Sequence, residues 1–101
     1  MTTVQARLVG PVIRGVDRRI ADAVVDAVIA DNPEAEVSVE DHGGYVRISC
    51  PSRCRLTRAS LEEALDEPFP LPQLEPALSA FAGRMRYIGD DEVEWYLERE
   101  D

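Results

Sequence analysis

A chain of 101 residues with 45% hydrophobic content has the size of one domain with one modest core, and two full domains are excluded. Twenty acidic against eleven basic side chains give a formal charge of −9. That is the wrong sign for nonspecific binding to nucleic acid or an anionic membrane, so a neutral or basic partner suits the chain better. Every base is arginine, which removes Schiff-base lysine chemistry and any Walker-type phosphate loop. Apolar runs fall far short of the 18 or so residues of a membrane span and no charged leader precedes one, so the chain reads as soluble and cytoplasmic.

Residues 1–8 read as a flexible N-terminus, 9–98 as the folded domain and 99–101 as a tail. Leu8-Val9 and Val12-Ile13 flank Gly10-Pro11, predicting an edge strand or tight extended segment, since proline cannot donate to a central ladder. From Val16 the spacing turns helical: Val16, Ile20, Val24, Ala27 and Val28 share a face, with Arg18, Arg19, Asp22 and Asp26 largely opposite. Asp17 is placed to cap this helix and Asp31-Asn32-Pro33 to stop it. Val37 and Val39, then Val46 and Ile48, alternate with polar neighbours around a turn centred on His42-Gly43-Gly44, the pattern of a hairpin. A short extended piece at Arg55-Leu56 leads into a helix from Thr57 to about Asp66, capped by Thr57 or, in a competing register, by Ser60 with Glu63.

Pro68, Pro70, Pro72 and Pro76 punctuate the next stretch. Phe69, Leu71 and Leu74 are expected to anchor it, ahead of a short helical segment from Pro76 to Phe81 that Gly83 ends. Met85 and Tyr87, then Val93, Trp95 and Leu97, alternate on either side of Gly89-Asp90-Asp91, predicting a closing hairpin with Trp95 inward and Tyr96 outward. The fold class is α+β: a single small domain with two to three helices and two small antiparallel sheet or hairpin regions.

The chemistry-bearing residues form no catalytic set. His42 is the only histidine, which leaves no His-rich metal site and no histidine proton relay. Cys50 and Cys54 lack the redox CxxC spacing and make a poor zinc site; they read as loop packing or unrelated free thiols, activated only if Arg53 and Arg55 lie beside them. Glu62-Glu63 and Asp90-Asp91-Glu92 read as surface charge. Ser49, Ser52 and Ser60 have no GxSxG setting, and the glycines match no phosphate-cradling pattern. Arg14 and Tyr96 stand out as candidate partner contacts, each with an ordinary surface or ion-pair role as its alternative. Charge is uneven: residues 1–60 hold eight acids and eight bases, while residues 61–101 hold twelve acids and three arginines, net −9. That asymmetry is either a solvated face or a field that steers a basic partner.

Val9-Gly10-Pro11-Val12-Ile13-Arg14, Ile29-Ala30-Asp31-Asn32-Pro33, Val39-Glu40-Asp41, Tyr45-Val46-Arg47-Ile48, Leu56-Thr57-Arg58 with Leu61-Glu62-Glu63, and Phe81-Ala82-Gly83 together resemble the effector (coupling, regulatory) proteins of soluble multicomponent diiron monooxygenases. The likeness runs from about Val9 to Leu97. It is strongest to the toluene-4-monooxygenase effector type, with phenol hydroxylase and methane monooxygenase regulatory proteins more distant. The resemblance implies a monooxygenase regulatory protein-like fold and a protein that is not an enzyme, has no cofactor and is a monomer when free. Its implied partner is a diiron hydroxylase, which holds the iron. Binding would couple electron transfer and O2 activation to hydroxylation or epoxidation of an aromatic or alkene hydrocarbon.

The resemblance also makes 9–98 the effector domain and sets the first helix, with its Asp31-Asn32-Pro33 end, in or near the hydroxylase-facing region. Asn32 is the contact it favours, with helix termination as the alternative; Arg14 and Ser79, within the 79–83 segment, are weaker. With Tyr96 from the strand pattern, the partner-binding candidates are Arg14, Asn32, Ser79 and Tyr96. Cys50 to Cys54 departs from the family pattern, and the N-terminus is short beside the tail of the methane-oxidising type; both favour an aromatic- or alkene-oxidising system. The alternative function is a cytoplasmic protein-binding adaptor with no effect on monooxygenase turnover.

Overall fold

The computed structural model describes residues 7–97; the expected tail, and all of the expected flexible start except Arg7 and Leu8, lie outside that range. The elements run β1 (Leu8–Arg14), α1 (Arg18–Asp31), β2 (Ser38–Asp41), β3 (Tyr45–Pro51), β4 (Arg53–Thr57), α2 (Arg58–Leu65), a 3₁₀ helix (Leu71–Ala77), β5 (Leu78–Ala82), β6 (Arg84–Ile88) and β7 (Glu92–Tyr96). They build two antiparallel sheets, ordered β2-β3-β1-β5 and β4-β7-β6.

β1 is central rather than the expected edge strand. The β3 register pairs Val9 with Cys50 and Val12 with Arg47, stepping over Gly10 and Pro11. The donor that proline lacks therefore falls in a gap of that ladder. On its other side β1 pairs with β5, with a register shift between Val12 and Ile13. At Gly10, where φ is +150°, a Cβ would stand 2.1 Å from the Ile48 carbonyl oxygen, so only glycine allows β3 this close.

α1 starts at Arg18, and Val16 is not part of its apolar stripe: it is 88% exposed, in the turn before the helix. Asp17 caps through its backbone oxygen, which accepts from the Ala21 amide, and not through its side chain. The buried stripe is Ala21, Ala23, Val24, Ala27 and Val28, and the helix stops at Asp31 as expected. Thr57 Oγ1 accepts from the Ser60 amide, so α2 takes the Thr57 cap and not the Ser60–Glu63 register.

The expected helix from Pro76 to Phe81 does not form. The 3₁₀ helix lies earlier, over Leu71–Ala77, and Leu78–Ala82 is a strand with Phe81 45% exposed. Pro72 and Pro76 cannot donate within the helix, which limits it to tight turns, and the open edge of β1 then takes the following backbone. Phe69, Leu71 and Leu74 are buried anchors as expected, and β6 and β7 form the closing hairpin with Trp95 fully buried.

One apolar cluster joins both sheets: Val9, Ile13 and Ile48 from the first, the α1 stripe, Leu61 and Leu65, and Cys54, Leu56, Val93 and Trp95 from the second. No helix among the described residues is long and apolar enough to cross a membrane.

Candidate partner-binding surface

The C-terminal end of α1 is bolted to β4 and α2. The Asp31 carboxylate accepts from the Thr57 amide at 2.7 Å, from Thr57 Oγ1 and from Ser60 Oγ at 2.6 Å. Asn32 clamps Arg55 by its backbone: Nδ2 donates to the Arg55 carbonyl at 2.8 Å and Oδ1 accepts from the Arg55 amide at 3.0 Å. Nδ2 also donates to the Val28 carbonyl, closing the helix. Beyond this corner opens a cleft of about 530 Å³, lined by residues 32–36, Pro51 and Arg53.

Arg53 also borders a second hollow, of about 270 Å³, shared with Ser52, Arg86, Glu94 and Tyr96. Here the strand alternation decides what each side chain does. Cys54, Leu56, Val93 and Trp95 point into the core, so Arg53, Arg55, Glu92, Glu94 and Tyr96 take the outer face. Arg53 and Arg86 both donate to the Glu94 carboxylate, Arg86 at 2.8–2.9 Å. Burial pushes the Glu94 carboxyl up, and the hydrogen bonds from Arg53 and Arg86 outweigh it, holding the group below the usual carboxylate range. Arg55 donates to Glu92 at 2.8 Å and lowers that carboxyl too. The Arg86 guanidinium lies over the half-buried Tyr96 ring, 4.4 Å from its centroid.

The four expected contact residues thus separate into two groups. Asn32 and Tyr96 fall on either side of Arg53. Arg14 and Ser79, both exposed, sit on the other sheet, where Arg14 Nε donates to the Pro76 carbonyl at 3.2 Å and Ser79 Oγ to the Val12 carbonyl at 3.3 Å. Sequence reasoning missed Arg53, Arg86 and Glu94 as one cluster. Their signal is the shared two-residue period of Arg53/Arg55, Arg84/Arg86 and Glu92/Glu94.

The other chemistry-bearing residues singled out by the sequence stand apart from this surface. His42 is exposed, stacked on Tyr45 with centroids 4.6 Å apart, and its Nε2 lies 3.2 Å from Glu40. Cys50 and Cys54 are not in a loop but in consecutive strands of different sheets, β3 and β4, fully buried in the core. Hydrogen bonding to Cys50 and burial push the Cys54 thiol up, while Arg53 and Arg55 turn to the opposite face, engage Glu94 and Glu92, and activate neither thiol. Among the described residues no group of three or more His, Cys, Asp or Glu side chains is placed to hold a metal ion.

The profile of the MmoB/DmpM family matches residues 7–96. The effector subunit of the alkene monooxygenase system of Xanthobacter autotrophicus is 56% identical over 91 residues, covering 90% of this chain and 87% of that protein. Two solved structures of a phenol hydroxylase-regulatory protein complex each contain a chain of the same fold. The TM-scores are 0.72 and 0.68 at 24% identity, with 91% and 89% of this chain covered and 100% and 99% of theirs. The fold is therefore the small α+β architecture of two antiparallel sheets and three helices expected from the sequence.

Proposed function

This chain belongs to the MmoB/DmpM family, and on that premise we propose that it is the noncatalytic effector of a diiron monooxygenase. It binds the hydroxylase component and couples electron transfer and O2 activation to oxidation of an alkene or aromatic hydrocarbon. The observation that carries this reading is the 56% identity to an alkene monooxygenase effector subunit across nine-tenths of the chain. The toluene-4-monooxygenase kinship expected from the sequence belongs to the same proposal, as do a cytoplasmic location and a monomeric free state.

Iron and oxygen chemistry stay in the hydroxylase. The effector acts by binding one hydroxylase state more tightly than another, which shifts their populations by its differential affinity. Asn32 and Tyr96, flanking Arg53, supply the principal contacts, with Arg14 and Ser79 in a secondary patch.

The test mixes the purified chain with its cognate hydroxylase and reductase and measures complex formation and product formed per NADH consumed. A stoichiometric complex and a raised ratio are expected. A complex with an unchanged ratio would mean an adaptor without effect on turnover, and no complex with no change would overturn the effector reading.

A further inference from the structure

On the outer face of the second sheet, Tyr96 is paired with Arg53 on one side and Arg84 on the other, and Glu94 with Arg55 and Arg86. Among the described residues, four arginines therefore share this face with two acids, Glu92 and Glu94. The arrangement is layered. The Glu94 side chain is 2% exposed, while those of Arg53 and Arg86 above it are 57% and 56% exposed. Arg53 engages Glu94 through Nε, and Arg86 through Nε and Nη2. One buried carboxylate thus grips two guanidinium groups and leaves the rest of their donors at the mouth of the hollow that Tyr96 walls.

A buried ion pair gains little stability over apolar packing, so the yield of this device is geometric. Two long, mobile side chains are fixed with their forks side by side before any partner arrives, which removes much of the ordering cost of binding. Planar forks held in this way match carboxylates. The acids beside the face restrict what can approach: Glu62 and Asp91 line one hollow with Glu92 and repel an extended polyanion. A short acidic segment on a protein surface meets both conditions.

We propose that this arginine face docks an acidic segment of the partner hydroxylase, with a carboxylate of that segment received by Arg53 and Arg86 over Glu94. The inference rests on the effector reading above and names the chemistry of the contact. Its test is the affinity of the purified cognate hydroxylase for the chain and two variants, measured over a series of NaCl concentrations. Arg53→Gln/Arg86→Gln/Glu94→Gln removes the forks without stranding a buried charge, and should weaken binding roughly tenfold or more at low salt and flatten the salt dependence. Arg53→Lys keeps the charge and the Glu94 partner but loses the fork; it should bind severalfold more weakly with an unchanged melting temperature, which covers the case in which the triple variant fails to fold. A folded triple variant, or Arg53→Lys, that binds within twofold of the parent overturns the proposal while leaving the effector reading intact. Self-association of the parent that the triple variant loses would instead make a second copy of the chain the occupant. Failure of the parent itself to bind would defeat the effector reading, and this inference with it.

Discussion

Asn32 shows how one side chain can be both a candidate contact and a structural bolt. Its amide serves the Arg55 backbone in both directions and the Val28 carbonyl besides. Asn32→Ala would strand the part-buried Arg55 amide and is expected to cost about 2–4 kcal/mol in urea unfolding; Asn32→Asp keeps the acceptor for the Arg55 amide but sets a carboxylate oxygen against the Val28 and Arg55 carbonyls at a helix C-terminus, and should cost no less. Hydroxylase affinity of either variant therefore has to be read at a urea-free temperature where the variant is folded. Glu94 yields a pH prediction. Its carboxyl is held below its usual 4.5 in the folded chain despite burial, because Arg53 and Arg86 donate to it. The stability it contributes is thus present above the unfolded value, and is lost as pH falls through the folded one. The urea midpoint of the parent should drop on acidification below about pH 4.5, the usual value of this group. Glu94→Gln should start lower at neutral pH, drop less, and converge with the parent in acid. A residual slope remains from Glu62, Glu92 and Asp41, whose carboxyls are lowered by other partners. Trp95 was legible as core because its parity matches Val93 and Leu97. Glu94 was not, since alternation assigns a charged residue to the solvent side and cannot register that two arginines from neighbouring strands close over it.

At the scale of elements, α1 and the two hairpins were readable because each is decided by contacts within a few residues, and for the same reason the cap of α2 was narrowed to two registers, of which the fold takes Thr57. β1 and β5 were not. Pro11 argues for an edge strand by a local rule, and the rule is met by a local gap in the β3 ladder while the strand as a whole stays central. Residues 78–82 carry no strong period of their own and become a strand because β1, almost seventy residues earlier, offers an open edge. That dependence on close strand approach puts Gly10 under strict constraint. Gly10→Ala would drive a methyl to 2.1 Å from the Ile48 carbonyl at φ +150°, and is expected to cost at least about 3 kcal/mol or to prevent folding. Gly43→Ala is the comparison: its φ of +81° strains any L residue, but nothing lies within 4 Å of the added carbon. It should cost only about 1–2 kcal/mol, so equal effects in urea titration would refute the steric account of β1.

Across the whole molecule, the two sheets could have been two weakly joined units, and the core decides otherwise. Cys54, Leu56, Val93 and Trp95 of the second sheet belong to the same cluster as Val9, Ile13 and the α1 stripe, and Asp31 and Asn32 tie the end of α1 to β4 and α2 by hydrogen bonds. Neither sheet can shed its inner face without exposing the other's. A chain of this size with one shared core should unfold in a single cooperative step. Its probes are well separated: Trp95, the only tryptophan, reports the second sheet by fluorescence, while far-UV circular dichroism is dominated by the 14-residue α1. The two urea curves are expected to superimpose, with one midpoint and a slope of roughly 1–2 kcal/mol per molar urea. A fluorescence transition at distinctly lower urea than the dichroism would mean that the arginine-bearing sheet opens on its own. The proposed contacts at that sheet and at the Asn32 corner would then act on separate units, whereas superposition makes them two handles on one body.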